Sequence, residues 1–140
     1  MPPVRFIVDH NKKRLYRIVD GEAPTREIGK SLIQYYVDHP DQIPYDTIND
    51  LRSWSGKFEW DWLREHTIKV EEMLAEHLRK NPETARPGRR IALVVTDKMW
   101  KLLARAIQNY VSISELNVFA SMEEAEAWLD APRSHSDRPS

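Results

Sequence analysis

The chain has 140 residues, the length of one ordinary domain, and is long enough to bury a single hydrophobic core. Hydrophobic residues make up 41% and charged residues 31% of it, which excludes wholesale disorder. The 21 Lys and Arg residues nearly balance the 22 Asp and Glu residues, so the net charge of -1 creates no global field that would hold nucleic acid or an anionic membrane. Because cysteine is absent, disulfides, thiolate metal sites, iron–sulfur clusters and a cysteine nucleophile are also excluded.

The chain opens with two β-rich runs, Val4–Asp9 and Lys13–Asp20, joined by a short polar link. Their spacing predicts an antiparallel hairpin. Thr25 is then expected to N-cap an amphipathic helix, which ends before Pro40 because proline disfavours helical geometry in the preceding residue. Thr47–Arg52 is the next predicted strand.

The longest predicted helix begins at Trp60, keeps apolar residues at three- or four-residue spacing, and ends near Lys80. After a loop that contains two prolines, Ile91–Val95 is an uninterrupted aliphatic run, which is typical of a strand covered on both faces. We expect this strand to be central in the sheet, with parallel neighbours on both sides.

The last part of the chain repeats the alternation of helix and strand. Thr96 or Asp97 is predicted to cap a further helix. Leu116–Ala120 is predicted to be a strand, and Ser121 with Glu124 forms a capping box that opens a final helix.

The element order β-β-α-β-α-β-α-β-α predicts an α/β fold. We expect a mixed, mostly parallel sheet of about five strands, with an N-terminal β-hairpin at one edge and four helices. Residues 1–131 are expected to form one domain and residues 132–140 a disordered polar tail. No window reaches the apolar length of a membrane span, and no secretory apolar segment opens the chain, so we expect a cytoplasmic location.

The C-terminal part of the chain carries a recognisable pattern, which covers residues 90–129 and reads RIALVVTDKMWKLLARAIQNYVSISELNVFASMEEAEAWL. Its most specific part is a strand followed by the ending EAxxWL at Glu124–Leu129. Taken with the opening hairpin and the strand around Asp50-Leu51-Arg52, these features resemble the SpoIIAA-like family of STAS-type domains, from Val4 to Leu129. The resemblance implies a non-enzymatic protein, since such families bind partner kinases under phosphoserine control or bind nucleotides or lipids.

The resemblance also implies a position for the switch serine, in an Asp-Ser-Ser-Gly box where a strand meets its helix. Here the loop reads Ser53-Trp54-Ser55-Gly56, so only Ser55 and its following glycine match. Glu59 and Asp61 already place negative charge at the start of the next helix and would repel a phosphate there. We therefore expect that Ser55 is not a regulated phosphoserine and that the two acids act as permanent caps.

Polar and aromatic side chains collect where the predicted strands end, which is where open α/β sheets bind ligands. The ligand-binding candidates are Asp50, Arg52, Trp54, Ser55, Lys57, Thr96 and Asp97. A carboxylate, a guanidinium and an indole could together hold a polar ligand with an apolar body. In the alternative interpretation, Asp50 and Arg52 form a structural ion pair at the strand end.

Two tryptophans lie two residues apart on the longest predicted helix and therefore point about 200° apart. Trp60 fits the core stripe, which leaves Trp62 with His66 and Met73 on a second strip. These three residues are the interface candidates for a protein partner or a homodimer, because exposed Trp and Met are enriched at interfaces. In the alternative interpretation, the loop after Arg52 covers them.

The sequence favours a non-catalytic regulatory or binding module whose partner is a protein or a small amphipathic ligand, and no catalytic residue is nominated. One alternative is a lipid carrier with an apolar cavity between sheet and helices, lined from Ile28, Leu32, Leu102 and Ile107. Another is a small enzyme that uses Asp50 or Asp97 as a general base. The histidines lack zinc-site spacing and the scattered glycines form no phosphate loop, so neither a metal nor a cofactor is expected.

Overall fold

A computed structural model describes residues 4–57, 59–85, 88–96 and 114–132 of the chain. The strands within them are β1 (Val4–Asp9), β2 (Arg14–Gly21), β3 (Asp46–Trp54), β4 (Arg90–Val94) and β5 (Glu115–Phe119). The helices are α1 (Thr25–Asp38), α2 (Trp60–Lys80) and α3 (Met122–Asp130), with short 3-10 turns at Pro40–Gln42 and Pro82–Thr84. The helix predicted to start at Thr96 or Asp97 and the tail after residue 132 lie outside the described residues.

The five strands form one mixed sheet in the order β1-β2-β3-β4-β5. β1 and β2 pair antiparallel as the predicted hairpin, and every other pairing is parallel. β4 therefore has a parallel neighbour on each side, as expected for Ile91–Val95, and four of its five residues are buried. The middle strand of the sheet is β3, however, because the five strands lie in the sheet in the same order as in the sequence.

The same stepwise order decides which face each helix covers. Right-handed crossovers between successive parallel strands place α1 and α2 on one face, where Leu32 and Leu74 pack on Leu15 of β2. α3 covers the opposite face, where Leu129 packs on Ile48 of β3. Burying side chains of this size contributes roughly 1.5–3 kcal/mol each. None of the described helices combines the length and the apolar character needed to cross a membrane.

The start of α1 differs from the predicted capping. Pro24 is the N-cap, and Thr25 is the first helical residue. The Thr25 hydroxyl donates to the Lys57 carbonyl oxygen and accepts from the Glu59 N–H, each at 3.1 Å. Because these partners belong to the loop before α2, the hydroxyl joins the two helix starts at the carboxyl end of the sheet instead of capping its own helix.

Gly29 lets α1 and α2 pack in close contact. A Cβ at this position would lie 2.8 Å from Nδ1 and 3.0 Å from Cβ of His66. Real Cβ atoms do not approach other atoms so closely, and the Cβ of His66 cannot rotate away because it is bonded to the backbone. The missing side chain at Gly29 therefore permits this spacing of the two helices.

We expect Gly29→Ala to lower the free energy of unfolding by about 1–3 kcal/mol, although alanine is the better helix former by about 1 kcal/mol. Urea unfolding followed by tryptophan fluorescence measures the change. Gln34→Ala, on the exposed side of α1, is the control and should change stability by less than about 0.5 kcal/mol. In a His66→Ala background, Gly29→Ala should become neutral or stabilising. Wild-type stability of the single variant would contradict the proposed overlap.

Candidate functional site

Asp50 and Arg52 form an ion pair with each other near the carboxyl end of β3. The guanidinium donates from Nε to Oδ1 and from Nη2 to Oδ2, both at 2.9 Å. These hydrogen bonds from Arg52 hold the pKa of the Asp50 carboxyl below its usual range. Asp50 follows Ile48 by two residues along β3 and so lies on the α3 face of the sheet, and the two hydrogen bonds hold the Arg52 guanidinium beside it. The geometry matches the interpretation of a structural ion pair.

Trp54 lies on the other face of the sheet, although it is only two residues from Arg52. Its buried ring packs with Val19 and Ile28, beneath α1. The indole Nε1 donates to the Ala23 carbonyl oxygen at 2.6 Å, so the polar atom of the ring is already satisfied. Trp54 can therefore offer a ligand only apolar surface.

The remaining rim candidates are solvent-exposed or lie outside the described residues. Ser55, Lys57 and Thr96 are exposed, and Asp97 is not among the described residues. The Ser55 N–H donates to the Gly21 carbonyl oxygen at 2.8 Å, which attaches this loop to the end of β2. The described rim candidates thus lie on two faces of the sheet and are not brought into one pocket.

A cavity lies instead between the sheet and the helices α1 and α2, and we call it the α1/α2 cavity. Its volume is about 80 Å³. This is roughly half the ~150 Å³ of an engineered cavity that binds benzene, so a group of a few heavy atoms fits and an acyl chain does not. The apolar wall includes Ile28, Leu32, Leu51, Trp54, Leu63, Val70 and Leu93. The polar lining includes Arg17, Asn49 and His66, together with the charged pair of Glu71 and Arg89.

This cavity has only some of the features that a lipid carrier requires. Ile28 and Leu32 line it as that alternative requires, while Leu102 and Ile107 lie outside the described residues. The described lining is not continuously apolar, because Arg17 and His66 belong to it.

Arg17 is buried in the α1/α2 cavity with only 6% of its surface exposed. Its Nε donates to Oδ1 of Asn49, a neutral partner, and its Nη1 has no hydrogen-bond partner among the described residues. Burial, together with the positive charge of Arg89, lowers the pKa of the guanidinium to about 10. Arg17 is therefore still a cation at neutral pH, and it is largely removed from water.

The other buried arginines each have a carboxylate partner. Arg14 lies 2.6 Å from an Asp130 oxygen, and Arg90 lies 3.5 Å from an oxygen of Glu115. Arg89 lies 3.8 Å from Oε2 of Glu71, which also accepts a hydrogen bond from Ser114. Arg17 is the exception, since no carboxylate oxygen of the described residues lies within 4.0 Å of it.

His66 is buried between α1 and α2, unlike the exposed interface residue expected from the sequence. Its Nδ1 lies 3.2 Å from the Trp62 carbonyl oxygen, and because a carbonyl only accepts, Nδ1 must carry the proton. Burial and the nearby charge of Arg17 lower the pKa of His66 to about 4. The ring is therefore neutral at physiological pH.

The interface candidates on α2 do not form one exposed strip, because His66, which lies between Trp62 and Met73 in the sequence, is buried. Trp62 is 36% exposed, and the side-chain cations of Arg26 and Lys30 lie 5.9 and 5.8 Å from its ring centroid. Met73 is partly buried against the core cluster that includes Leu74. Of the three interface candidates, Trp62 is thus the one that is exposed.

The cavity residues Arg17 and Asn49 were not among the sequence candidates. One signal was present: Arg17 falls between Leu15 and Val19, which alternate on the same buried face of β2. A charged residue in the middle of an apolar face requires a partner or a function. Across residues 4–57, 59–85, 88–96 and 114–132, no cluster of three or more His, Asp or Glu side chains could hold a metal ion.

Comparison with solved structures identifies the architecture. The crystal structure of an uncharacterized protein from the DUF3478 family with a SpoIIAA-like fold, from Shewanella loihica PV-4, matches this chain with a TM-score of 0.55 at 12% sequence identity. The match covers 90% of this chain and 91% of that one. The chain therefore has a SpoIIAA-like α/β fold, which confirms the predicted class. No protein-family model and no curated protein matches the sequence.

The low pKa of His66 predicts that acid destabilises the fold. Between about pH 6.5 and about pH 4 the unfolded His66 binds a proton that the folded state rejects, so stability falls as pH falls through this window, by about 3 kcal/mol in total. Urea unfolding at about pH 7.5, above this window, and at about pH 6.0, 5.0 and 4.5, inside it, measures the slope. The variant His66→Gln should have a shallower slope. Equal slopes for variant and wild type would contradict the burial of a neutral imidazole.

Proposed function

We propose that the protein is a cytoplasmic, non-catalytic binding module and that its small amphipathic ligand occupies the α1/α2 cavity. The observation that carries the proposal is the composition of this cavity, in which apolar walls converge on a few polar groups around Arg17. Small-molecule sites have this composition, and they occur near the carboxyl ends of parallel strands. Trp54 and Leu51, at that end of β3, contribute to the apolar wall.

The side chains around the cavity support binding over catalysis. His66 is a weak base, since its pKa is about 4 and its Nδ1 proton is held by the Trp62 carbonyl. Glu71 accepts hydrogen bonds from the N–H and the hydroxyl of Ser114 and also pairs with Arg89. His66 is therefore a poor general base at neutral pH, and both carboxylate oxygens of Glu71 already accept hydrogen bonds.

The cavity also fits a small ligand better than the rim does. Asp50 and Arg52 neutralise each other. A ligand at the rim would have to break this ion pair to use either charge. A ligand in the cavity meets a cation that no described carboxylate neutralises.

Filling the cavity should abolish binding. We expect Leu51→Phe to obstruct the α1/α2 cavity, and Ile68→Phe, at an exposed site on α2, to be the matched control. The probes are the three-carbon compounds propionate, 1-propanol and propylammonium, and amide NMR shifts report their binding. Wild type and Ile68→Phe should bind at least one probe, and Leu51→Phe should lose about tenfold or more in affinity. Failure of all three probes to bind, or undiminished binding by Leu51→Phe, would contradict the proposal.

A second candidate function is the capture of a regulatory protein partner or of a second copy of the chain, and exposed Trp62 favours it. Two cations hold positions over its ring, and a large aromatic side chain flanked by Arg and Lys is a common anchor in interfaces. Arg26, Lys30 and Trp62 line a surface groove between α1 and α2, and His66 lines both this groove and the α1/α2 cavity.

Trp62→Ala should weaken self-association or partner capture and change the free energy of unfolding by less than about 1 kcal/mol, since the side chain is partly exposed. Sedimentation velocity over a range of concentrations tests self-association, and pull-down from the native extract tests partner capture. A marked loss of stability with unchanged association would show that Trp62 serves the fold and not an interface.

A further inference from the structure

We infer that the ligand of the α1/α2 cavity is a small monocarboxylate whose anionic group pairs with the guanidinium of Arg17. This inference rests on the proposed function and specifies the chemistry of the ligand. It starts from the charges buried on the α1/α2 face. Among the described residues these are the cations Arg17 and Arg89 and the anion Glu71, so one positive charge is left without a counter-ion.

The carboxylate of Glu71 is engaged by Ser114 and Arg89. Its Oε1 accepts from the Ser114 N–H at 3.2 Å, and its Oε2 accepts from the Ser114 hydroxyl at 2.9 Å and faces Arg89. Arg89 itself donates to Tyr36, Ser114 and the Tyr45 carbonyl oxygen, at 2.9 to 3.1 Å. This network joins Glu71 to Arg89, whereas no carboxylate oxygen of the described residues lies within 4.0 Å of Arg17.

The guanidinium of Arg17 is suited to a carboxylate. Asn49 occupies its Nε, while Nη1 is buried and without a partner among the described residues. A planar guanidinium binds carboxylates through parallel N–H donors, and such charge-assisted hydrogen bonds are among the strongest in proteins. A single carboxylate would neutralise the single excess charge, whereas a dianion such as a phosphate ester would leave a new unpaired charge in the cavity.

The size and walls of the cavity select the rest of the ligand. About 80 Å³ admits a carboxylate with a short apolar tail. Ile28, Leu51 and Leu63 form apolar wall for that tail. The Trp54 ring adds apolar surface only, because its Nε1 is bonded to Ala23. The apolar walls thus favour an organic anion over an inorganic one of the same charge.

The matched three-carbon probes test the charge of the ligand. Wild type should bind propionate about tenfold or more tightly than 1-propanol and should reject propylammonium. Arg17→Gln should reduce propionate affinity to the level of 1-propanol, whose own affinity should change little. Equal affinities for propionate and 1-propanol in wild type would overturn the carboxylate inference, while the proposed function would stand. Nitrate binding as tight as propionate binding would also overturn it, in favour of an inorganic monoanion.

Thermal unfolding in a buffer free of carboxylates provides a second test, because the unfolding temperature should change in different directions for variants of Arg17 and Arg89. Arg17→Met removes an uncompensated buried charge and should unfold at the same or a higher temperature than wild type. Arg89→Met, the matched control on the same face, leaves Glu71 without its cation and should unfold at a lower temperature. Propionate should raise the unfolding temperature of wild type but not that of Arg17→Met. A loss of stability in Arg17→Met as large as in Arg89→Met would make Arg17 a structural residue and overturn the inference.

Discussion

The guanidinium of Arg89 ties together the segments that meet at the amino-terminal end of the α1/α2 face. It bonds to Tyr36 on α1 and to the chain before β3 and β5, and it pairs with Glu71 on α2. Loss of either member of this buried pair would leave the other charge uncompensated, which costs about 3–5 kcal/mol in proteins. Arg17 lies nearer the carboxyl end of the same face, and the described residues provide no comparable network there. One layer of the fold therefore contains both a fully paired cation and an unpaired one.

The opposite face shows why the resemblance in sequence predicts the fold better than the function. In the EAxxWL ending, Ala125 and Leu129 are buried, and the Trp128 ring lies 4.9 Å from the Arg90 guanidinium carbon. Each of these residues holds α3 on the sheet. A motif whose members serve packing specifies the architecture, and it says little about what the other face binds.

The sequence predicts those elements whose causes are local. Proline after Asn81 ends α2 at Lys80, and an unbroken aliphatic run makes β4 an interior strand, because both effects act within a few residues. The candidate site depends on distant contacts. Whether Arg17 has a counter-ion is decided by Glu71, which is far along the chain and is engaged by Ser114. The burial of His66 likewise depends on Gly29 in another helix, so helical spacing alone placed it on the wrong strip.

A buried cation without a counter-ion lowers the stability of the unliganded fold, and this cost is consistent with a binding role. Ligand binding to the folded state adds stability in proportion to RT ln(1 + [L]/Kd), so an anion that pairs with Arg17 can restore what desolvation removes. The neutral state of His66 limits the net charge that is buried in the cavity. The described lining already holds the cations Arg17 and Arg89 with the anion Glu71, so a protonated imidazole would add a second net positive charge. Burial, together with the charge of Arg17, lowers the pKa of His66 and keeps the imidazole neutral. The described lining of the cavity therefore carries one net positive charge at neutral pH, which is the charge that a single carboxylate neutralises.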